Sequence, residues 1–357
     1  MAKLKILYTI PNFDTAGSGK VLYDLAKGLD KEHFEVSIAC KHNKGVFFNE
    51  VATLGIPIHI IDTTVSLKPY YSLVFRLNPF KTFIKKHKFD IVHSWHWSSN
   101  WTEVLATRLS GAKFVYTKKA MTWGNVHWKI KSYLSNFIIT VNEEMRNYFP
   151  SKKNQKLIPF GIDTNYYRPK PYPKNTSEHV FKIITVANLV PVKGIEVLIK
   201  AINLLINKDI HLDILGDDIG DYANKLKQLV IDLNLEKQVT FSGKHSDIRP
   251  FLSRADLYII PSKKEGMPMA LVEAMAMEIP VLGSDISGIN FVLKEFPQFM
   301  FEVSNIKMLS DKIKMFYKRS EAERQQVGRQ LRNYCIKHFS MDMFIIEHEK
   351  LYKAITK

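Results

Sequence analysis

Leu257-Tyr-Ile-Ile-Pro261-Ser-Lys-Lys-Glu265-Gly-Met-Pro-Met-Ala-Leu-Val-Glu273-Ala-Met-Ala276 reads as a buried strand, a polar loop and an apolar helix in direct succession. The run from Leu257 to Ile260 has the length and composition of a strand covered on both faces. Pro268 suits a first helical turn, because the N–H it lacks is one that a helix leaves unpaired. Ala270, Leu271, Ala274 and Met275 then supply the packing surface. Glu273 lies inside this apolar helix, about two turns along. A carboxylate there needs a partner, whether ribose hydroxyls, a backbone amide or a lysine, since unpaired buried charge is costly.

The same rhythm extends in both directions. Residues 182–187 read as a strand, and Ile195, Leu198, Ile199, Ile202, Leu205 and Ile206 form a helical stripe. His211-Leu-Asp-Ile-Leu-Gly216 is a strand and 222–233 a helix. Strands at 239–243 and 280–283 follow, and roughly 308–355 read as helical throughout. Toward the N-terminus, strands are expected at 5–10, 34–39, 58–61, 90–93, 113–117 and 137–141. A helix is expected from Lys20 to Leu29, with Val21, Leu22, Leu25 and Ala26 on one face. Alternating strands and helices imply right-handed crossovers and parallel sheets with helices on both faces. Residues 168–179 hold three prolines and no apolar periodicity, which marks a linker. The expected organisation is an α/β domain over 1–165 and a second over 166–339. The final helix, about 340–357, is expected to pack back on the first.

Composition limits the chemistry. Of 357 residues, 46% are hydrophobic and 24% charged, ordinary proportions for a globular chain. Fifty-one Lys and Arg against 35 Asp and Glu leave a formal charge of +16, which favours anionic partners. Two cysteines, Cys40 and Cys335, make no disulfide framework, and a reducing cytoplasm is the expected home. Pro11, Asn12 and Asp14 end the opening apolar run too early for a signal peptide. No stretch has the roughly 18 apolar residues of a membrane span. The basic residues are spread along the chain without a helix-turn-helix, zinc or RNA-recognition pattern, so nucleic acid is not the expected partner.

Ligands of open parallel sheets bind beyond the carboxyl ends of the strands. Three further stretches stand there. Gly17-Ser18-Gly19 precedes the first helix, where a helix N-terminus favours an anion. It is not a P-loop: Asp14 stands where the first glycine belongs and Val21 follows the lysine. Read alone, it serves equally as a Gly-rich turn. Lys193, after a strand and at the mouth of a helix, can pair with a diphosphate, although a solvated lysine is the simpler reading. His93 closes the strand Asp90-Ile-Val, followed by Trp95, His96 and Trp97.

Glu265 and Glu273, Lys193-Gly194, Gly17-Ser-Gly19 and Pro159-Phe-Gly-Ile-Asp163-Thr-Asn-Tyr-Tyr-Arg-Pro together resemble the family 4 glycosyltransferases. These are retaining enzymes that use nucleotide sugars. The resemblance implies the GT-B fold, two Rossmann-like domains facing each other across a central cleft. It implies that Glu273 holds the ribose and that Lys193 neutralises the departing diphosphate. Glu265 would lie by the donor sugar. The amides of Gly266, Met267, Pro268, Met269, Ala270 and Leu271 (Pro268 contributing backbone only) would line sugar and phosphate, with Gly216 beside them. Gly17, Ser18 and Gly19 would approach the diphosphate, and His93 would stand near the reacting sugar. Trp95, His96, Lys119 and Trp123 would contact the acceptor. A UDP-sugar is the first choice of co-substrate, with no metal and no other cofactor.

The chain departs from the family pattern at several points. Asn188 replaces the usual diphosphate-clamping Arg, and Lys20, Lys263 or Lys264 could offset it. Ser287-Gly288 and Asn290 replace a Gly-Gly and Glu, Glu278 replaces a Gly, and Lys118-Lys119 replaces a His or Gly. Residues 66–88 interleave aromatic and aliphatic side chains with Lys68, Arg76, Lys81, Lys85, Lys86 and Lys88. Such a segment can lie on an anionic bilayer or cover the sheet with a solvated basic face. The expected function is hexosyl transfer to a hydroxyl of a glycan or lipid-linked acceptor in surface polysaccharide synthesis, at the cytoplasmic face of the membrane. The alternatives are a sugar-nucleotide-binding protein of the same fold with epimerase or phosphorylase activity and, on charge alone and behind it, a basic nucleic-acid binder.

Overall fold

The computed structural model describes residues 3–14, 17–45, 47–121, 125–169, 180–206 and 208–356. Trp123 and most of the 168–179 linker lie outside the described residues. The chain divides into two compact units, Met1–Gly161 with Met341–Lys357, and Ile162–Ser340.

The first unit is built on strands β1 (Leu4–Thr9), β2 (Phe34–Cys40), β3 (Ile58–Ile60), β4 (Ile91–Ser94), β5 (Lys113–Lys118), β6 (Phe137–Thr140) and β7 (Gln155–Leu157). Their order in the sheet is β3-β2-β1-β4-β5-β6-β7, and every pairing is parallel. Parallel strands bury both faces, so their sequences are runs of Ile, Val, Leu and Phe rather than alternations. Leu7, Val92 and Phe114 pack against Leu77, Phe80 and Ile84 of the helix Leu73–His87.

The second unit carries β8 (Phe181–Val186), β9 (Ile210–Leu215), β10 (Val239–Gly243), β11 (Leu257–Ile260), β12 (Val281–Ser284) and β13 (Met300–Phe301). Their order is β10-β9-β8-β11-β12-β13, again all parallel. The helix Ile195–Asn203 buries Ile195, Leu198, Ile199 and Ile202, the stripe read from sequence.

The structure refines several expectations. The first helix begins at Gly17 rather than Lys20, and Gly19 is already inside it. A Cβ on Gly19 would stand 3.0 Å from the Phe13 ring, so close packing accounts for that glycine without a ligand. Strands β7 and β13 are sheet edges of three and two residues, too short to leave a periodic signal. The helical C-terminal region is three helices, Ile306–Lys318, Glu321–Phe339 and Met341–Thr356. Ser320 breaks the run by forming a capping box with Glu323, which satisfies orphan N–H groups at the new helix start. The last helix returns to the first unit, where the Tyr352 hydroxyl lies 3.1 Å from that of Tyr8.

Candidate functional site

In the second sheet the strand order reverses direction between the neighbours β8 and β11, the topological switch point at which open sheets hold ligands. The loops after these two strands are joined. The Lys263 amide donates to the Val192 carbonyl at 2.8 Å. Gly194 has φ +64, and a Cβ there would stand 2.2 Å from the Pro261 carbonyl oxygen, so only glycine lets the loops approach. This contact brings Lys193 Nζ to 2.6 Å from Glu265 Oε1. Ser262 Oγ donates to the same oxygen at 2.7 Å, and the Ser284 hydroxyl donates in turn to the Ser262 carbonyl.

Glu273 projects from the helix Met269–Ala276 and accepts a hydrogen bond from the Tyr167 hydroxyl. Burial, followed by the Glu273 charge, pushes that phenol far above its usual range. Arg332 fixes the segment bearing Tyr167, donating to the Tyr167 carbonyl at 2.9 Å, to Thr164 at 3.1 Å and to Ala276. Tyr258 on β11 is fully buried, and its hydroxyl has no hydrogen-bond partner among the described residues. Burial, then the charges of Glu265 and Glu273, hold Tyr258 un-ionised. Two carboxylates, one ammonium and four hydroxyls therefore converge at the carboxyl end of the sheet.

The other donor candidates sit around this cluster. Gly288 packs its missing Cβ against the carbonyls of Glu265 and Gly266, which would stand at 2.4 and 2.7 Å. The Gly266–Pro268 loop thus leads directly into the helix that Met269, Ala270 and Leu271 open. Gly216 is a close-packing position, since its Cβ would meet the Ala187 carbonyl at 1.9 Å. Asn188 is exposed. Of the lysines named as substitutes, Lys263 is 2.6 Å from Glu196 and Lys20 is 2.5 Å from Asp24. Lys264 is exposed.

In the first unit the switch point lies between β1 and β4. Gly17 and Ser18 stand at the start of the helix that follows β1, with Gly17 exposed. His93 is fully enclosed. Its Nδ1 is 2.6 Å from Tyr352 Oη and its Nε2 2.7 Å from Thr117 Oγ1. Burial, then electrostatic coupling to His348 and Lys119, drives its pKa well below the usual imidazole value. Neither ring nitrogen is left over for a substrate, so His93 is a strut between β4, β5 and the last helix. Trp95 is likewise enclosed, stacked on Phe160 at 6.0 Å.

His96 does line a cavity of about 450 Å³, together with Lys41, Thr63, Ser66, Trp97 and Asn100. Its Nε2 is 3.0 Å from Thr63 Oγ1, and burial holds it neutral with a pKa of about 4. Lys119 Nζ is 2.5 Å from the Trp95 carbonyl and 5.4 Å from the centre of the Trp97 ring. Burial, then the charge of Lys131, lowers Lys119 to about 7.

Sequence reasoning missed the residues that hold these groups in place. Glu103 is completely buried, accepting from Ser94 Oγ at 2.6 Å and from the Thr9 hydroxyl, with Lys131 Nζ at 3.9 Å. Lys131, also fully buried, donates to the Ser98 carbonyl at 3.2 Å. Glu103 and Lys131 fall on amphipathic helices where a charged residue reads as solvent-facing. Tyr167 ends the quoted Asp163-Thr-Asn-Tyr-Tyr stretch, yet nothing local points it at a helix a hundred residues on.

Two family models match the chain. Glycosyltransferase Family 4 covers residues 15–166 and Glycosyl transferases group 1 covers 170–334. The UDP-Gal:alpha-D-GlcNAc-diphosphoundecaprenol alpha-1,3-galactosyltransferase of Escherichia coli is 27% identical over 318 residues, 78% of this chain and 79% of that protein. A glycosyltransferase from Rickettsia africae ESF-5 superposes with a TM-score of 0.88 at 21% identity, covering both chains in full. Anabaena Alr3699/HepE, crystallised with UDP and glucose, superposes with a TM-score of 0.83 at 17% identity, over 98% of this chain and 100% of the other.

Proposed function

Because the chain belongs to the family 4 glycosyltransferases and has their two-domain α/β GT-B fold, we propose that it transfers a hexosyl unit from a nucleotide diphosphate sugar to an acceptor hydroxyl, with retention at the anomeric carbon. The observation that carries this reading is the 2.6 Å contact between Lys193 and Glu265 beside Glu273, at the carboxyl end of the second sheet. A cation next to two carboxylates there has the composition needed to separate a diphosphate, a sugar and a ribose.

In this reading Glu273 accepts from the ribose hydroxyls, exchanging or sharing its bond with Tyr167. Lys193 turns from Glu265 toward the diphosphate, and the freed Glu265 accepts from donor-sugar hydroxyls. The amides at the start of the Met269–Ala276 helix add partial positive charge where the leaving group gains negative charge. The acceptor oxygen then bonds to the anomeric carbon on the face the diphosphate is leaving. The bond from that carbon to the phosphate oxygen breaks, and the acceptor proton passes to the departing phosphate. In this proposal Gly17 and Ser18 offer amides to the diphosphate, while Gly19 packs their helix against Phe13. His96 and Lys119 belong to the acceptor side, with Trp95 and His93 as supports. No metal step enters.

The donor is a UDP-sugar in this proposal, a choice supported by the names of the relatives. The acceptor is a glycan or lipid-linked glycan, and the protein works peripherally at the cytoplasmic face of an anionic membrane. Calorimetric titration with UDP, GDP, ADP and their sugar conjugates in EDTA tests the donor site. Micromolar binding of one nucleotide, lost in Glu273→Ala, is expected. Binding of none would overturn the transferase reading.

A further inference from the structure

Four large apolar side chains stand in solvent on one shoulder of the first unit. Tyr70 is 58% exposed, Tyr71 88%, Val74 64% and Phe75 80%. They occupy the turn Tyr70–Ser72 and the first turn of the Leu73–His87 helix, at a spacing that gathers them on one surface. The inner face of the same helix is already spent on the core through Leu73, Leu77, Phe80 and Ile84. Single exposed apolar residues are ordinary, whereas a contiguous group with three aromatic rings marks a contact surface. Lys68 stands just before the group, and Lys85 and Lys86 continue along the outer face of the helix, all three exposed.

The shoulder is braced to the cavity that His96 lines. Arg76 donates to the Pro69 carbonyl at 2.6 Å, to Ser72 Oγ at 3.2 Å and to the Ser66 carbonyl. Ser66 itself forms part of the cavity wall. A surface that moves with the shoulder therefore moves with the rim of the cavity.

Tyrosine suits a bilayer interface, because its ring is apolar and its hydroxyl stays hydrated. Basic residues beside an apolar group add attraction to anionic lipids. A second copy is a poorer occupant. Four side chains fall well short of the roughly 800 Å² per partner of a stable interface, and two chains of +16 repel.

We propose that Tyr70, Tyr71, Val74 and Phe75 enter the headgroup layer of an anionic bilayer, with Lys68, Lys85 and Lys86 against lipid phosphates. The rim at Ser66 then lies at the lipid surface, and the acceptor is presented to the cavity on a lipid carrier. This last step rests on the transferase reading of the cavity.

Flotation of the full chain with vesicles tests the inference. The protein is expected to float with mixed phosphatidylcholine–phosphatidylglycerol vesicles and to stay below with phosphatidylcholine alone. Tyr71→Ser/Phe75→Ser, on exposed positions that leave the melting temperature unchanged, is expected to weaken binding at least about tenfold. Lys85→Gln/Lys86→Gln is expected to weaken it about fivefold per lysine, the change that matches about 1 kcal/mol each. The emission of Trp97, isolated by comparison with Trp97→Phe, is expected to be quenched by brominated lipids. Failure to float, variants that float like the parent, or binding without Trp97 quenching would overturn the proposal. So would a dimer lost in Tyr71→Ser/Phe75→Ser with flotation unchanged. UDP affinity on the same preparations separates the two readings. Nucleotide binding without flotation removes only the membrane inference, and flotation without nucleotide binding removes only the donor site.

Discussion

Lys193 Nζ sits 2.6 Å from Glu265 Oε1, so the ammonium proposed to meet the diphosphate is already paired with a carboxylate of the chain itself. Binding of a diphosphate has to compete with that pair. Lys193→Ala is expected to lower turnover by about 10²–10³, the usual consequence of removing one group that stabilises transition-state charge. Glu265→Gln is expected to separate the two roles: UDP binds at least as tightly, because Lys193 is released, while transfer falls. Titration calorimetry and steady-state rates check both, and weaker UDP binding in Glu265→Gln would reject the competition.

The Tyr167–Glu273 bond makes a graded prediction. Glu273→Ala removes the proposed ribose acceptor and is expected to cost at least tenfold in nucleotide affinity, as lost hydrogen bonds to a charged group do, at about 1.5–3 kcal/mol. Tyr167→Phe removes only the holder of the carboxylate, so a loss of a few-fold is expected. Comparable losses in the two variants would make Tyr167 a direct contact of the nucleotide.

Gly194→Ala introduces a side chain at φ +64 against the Pro261 carbonyl. Strain of this kind costs about 1–3 kcal/mol, so a lower melting temperature is expected. The joined loops position Lys193, and weaker UDP binding should accompany the lost stability. An alanine variant with unchanged melting and binding would show that the loops do not need the contact.

The buried pair of Glu103 and Lys131 predicts non-additivity. Burial, partly offset by Glu103, lowers Lys131 to about 8. Glu103→Gln leaves the ammonium without compensation and is expected to destabilise by about 3–5 kcal/mol. The double variant Glu103→Gln/Lys131→Met should recover much of that loss. Denaturant unfolding of the single and double variants measures the coupling, and simple addition would mean the pair does not interact.

Three enclosed histidines give the first unit an acid limit. Burial holds His96 and His348 at about 4 and His93 well below its usual value. Unfolded imidazoles titrate near about 6.5. Between 6.5 and the folded values the unfolded chain binds protons that the folded one refuses. Stability is therefore complete above about 6.5 and is lost as the pH falls through that window. Each histidine contributes a slope of about 1.4 kcal/mol per pH unit. His348→Met is expected to reduce the measured slope by one proton, and an unchanged slope would exclude His348.

Much of this protein follows from local sequence. The apolar runs of β1, β4, β8 and β11 stand out because strands buried on both faces tolerate little else. Glu273 was legible because its helix is otherwise small or apolar, which makes a charge conspicuous, whereas Glu265 and Lys193 gained their roles through the family resemblance. Gly194 belongs with them, since its pairing with Lys193 is a local signal.

Contacts between distant segments were decided only by the tertiary structure. Sequence could say that Glu273 needed a partner, but the partner, Tyr167, lies more than a hundred residues away and is held by Arg332 from a third segment. His93 followed a strand as a substrate-facing residue would, yet Tyr352 and Thr117 occupy both its nitrogens. The outer face of the Leu73–His87 helix could have been a covered surface until the inner face was seen to fill the core. Strand and helix are set by periodicity along a few residues. Burial and pairing depend on which segments the sheet order brings side by side, and a linear pattern does not carry that order.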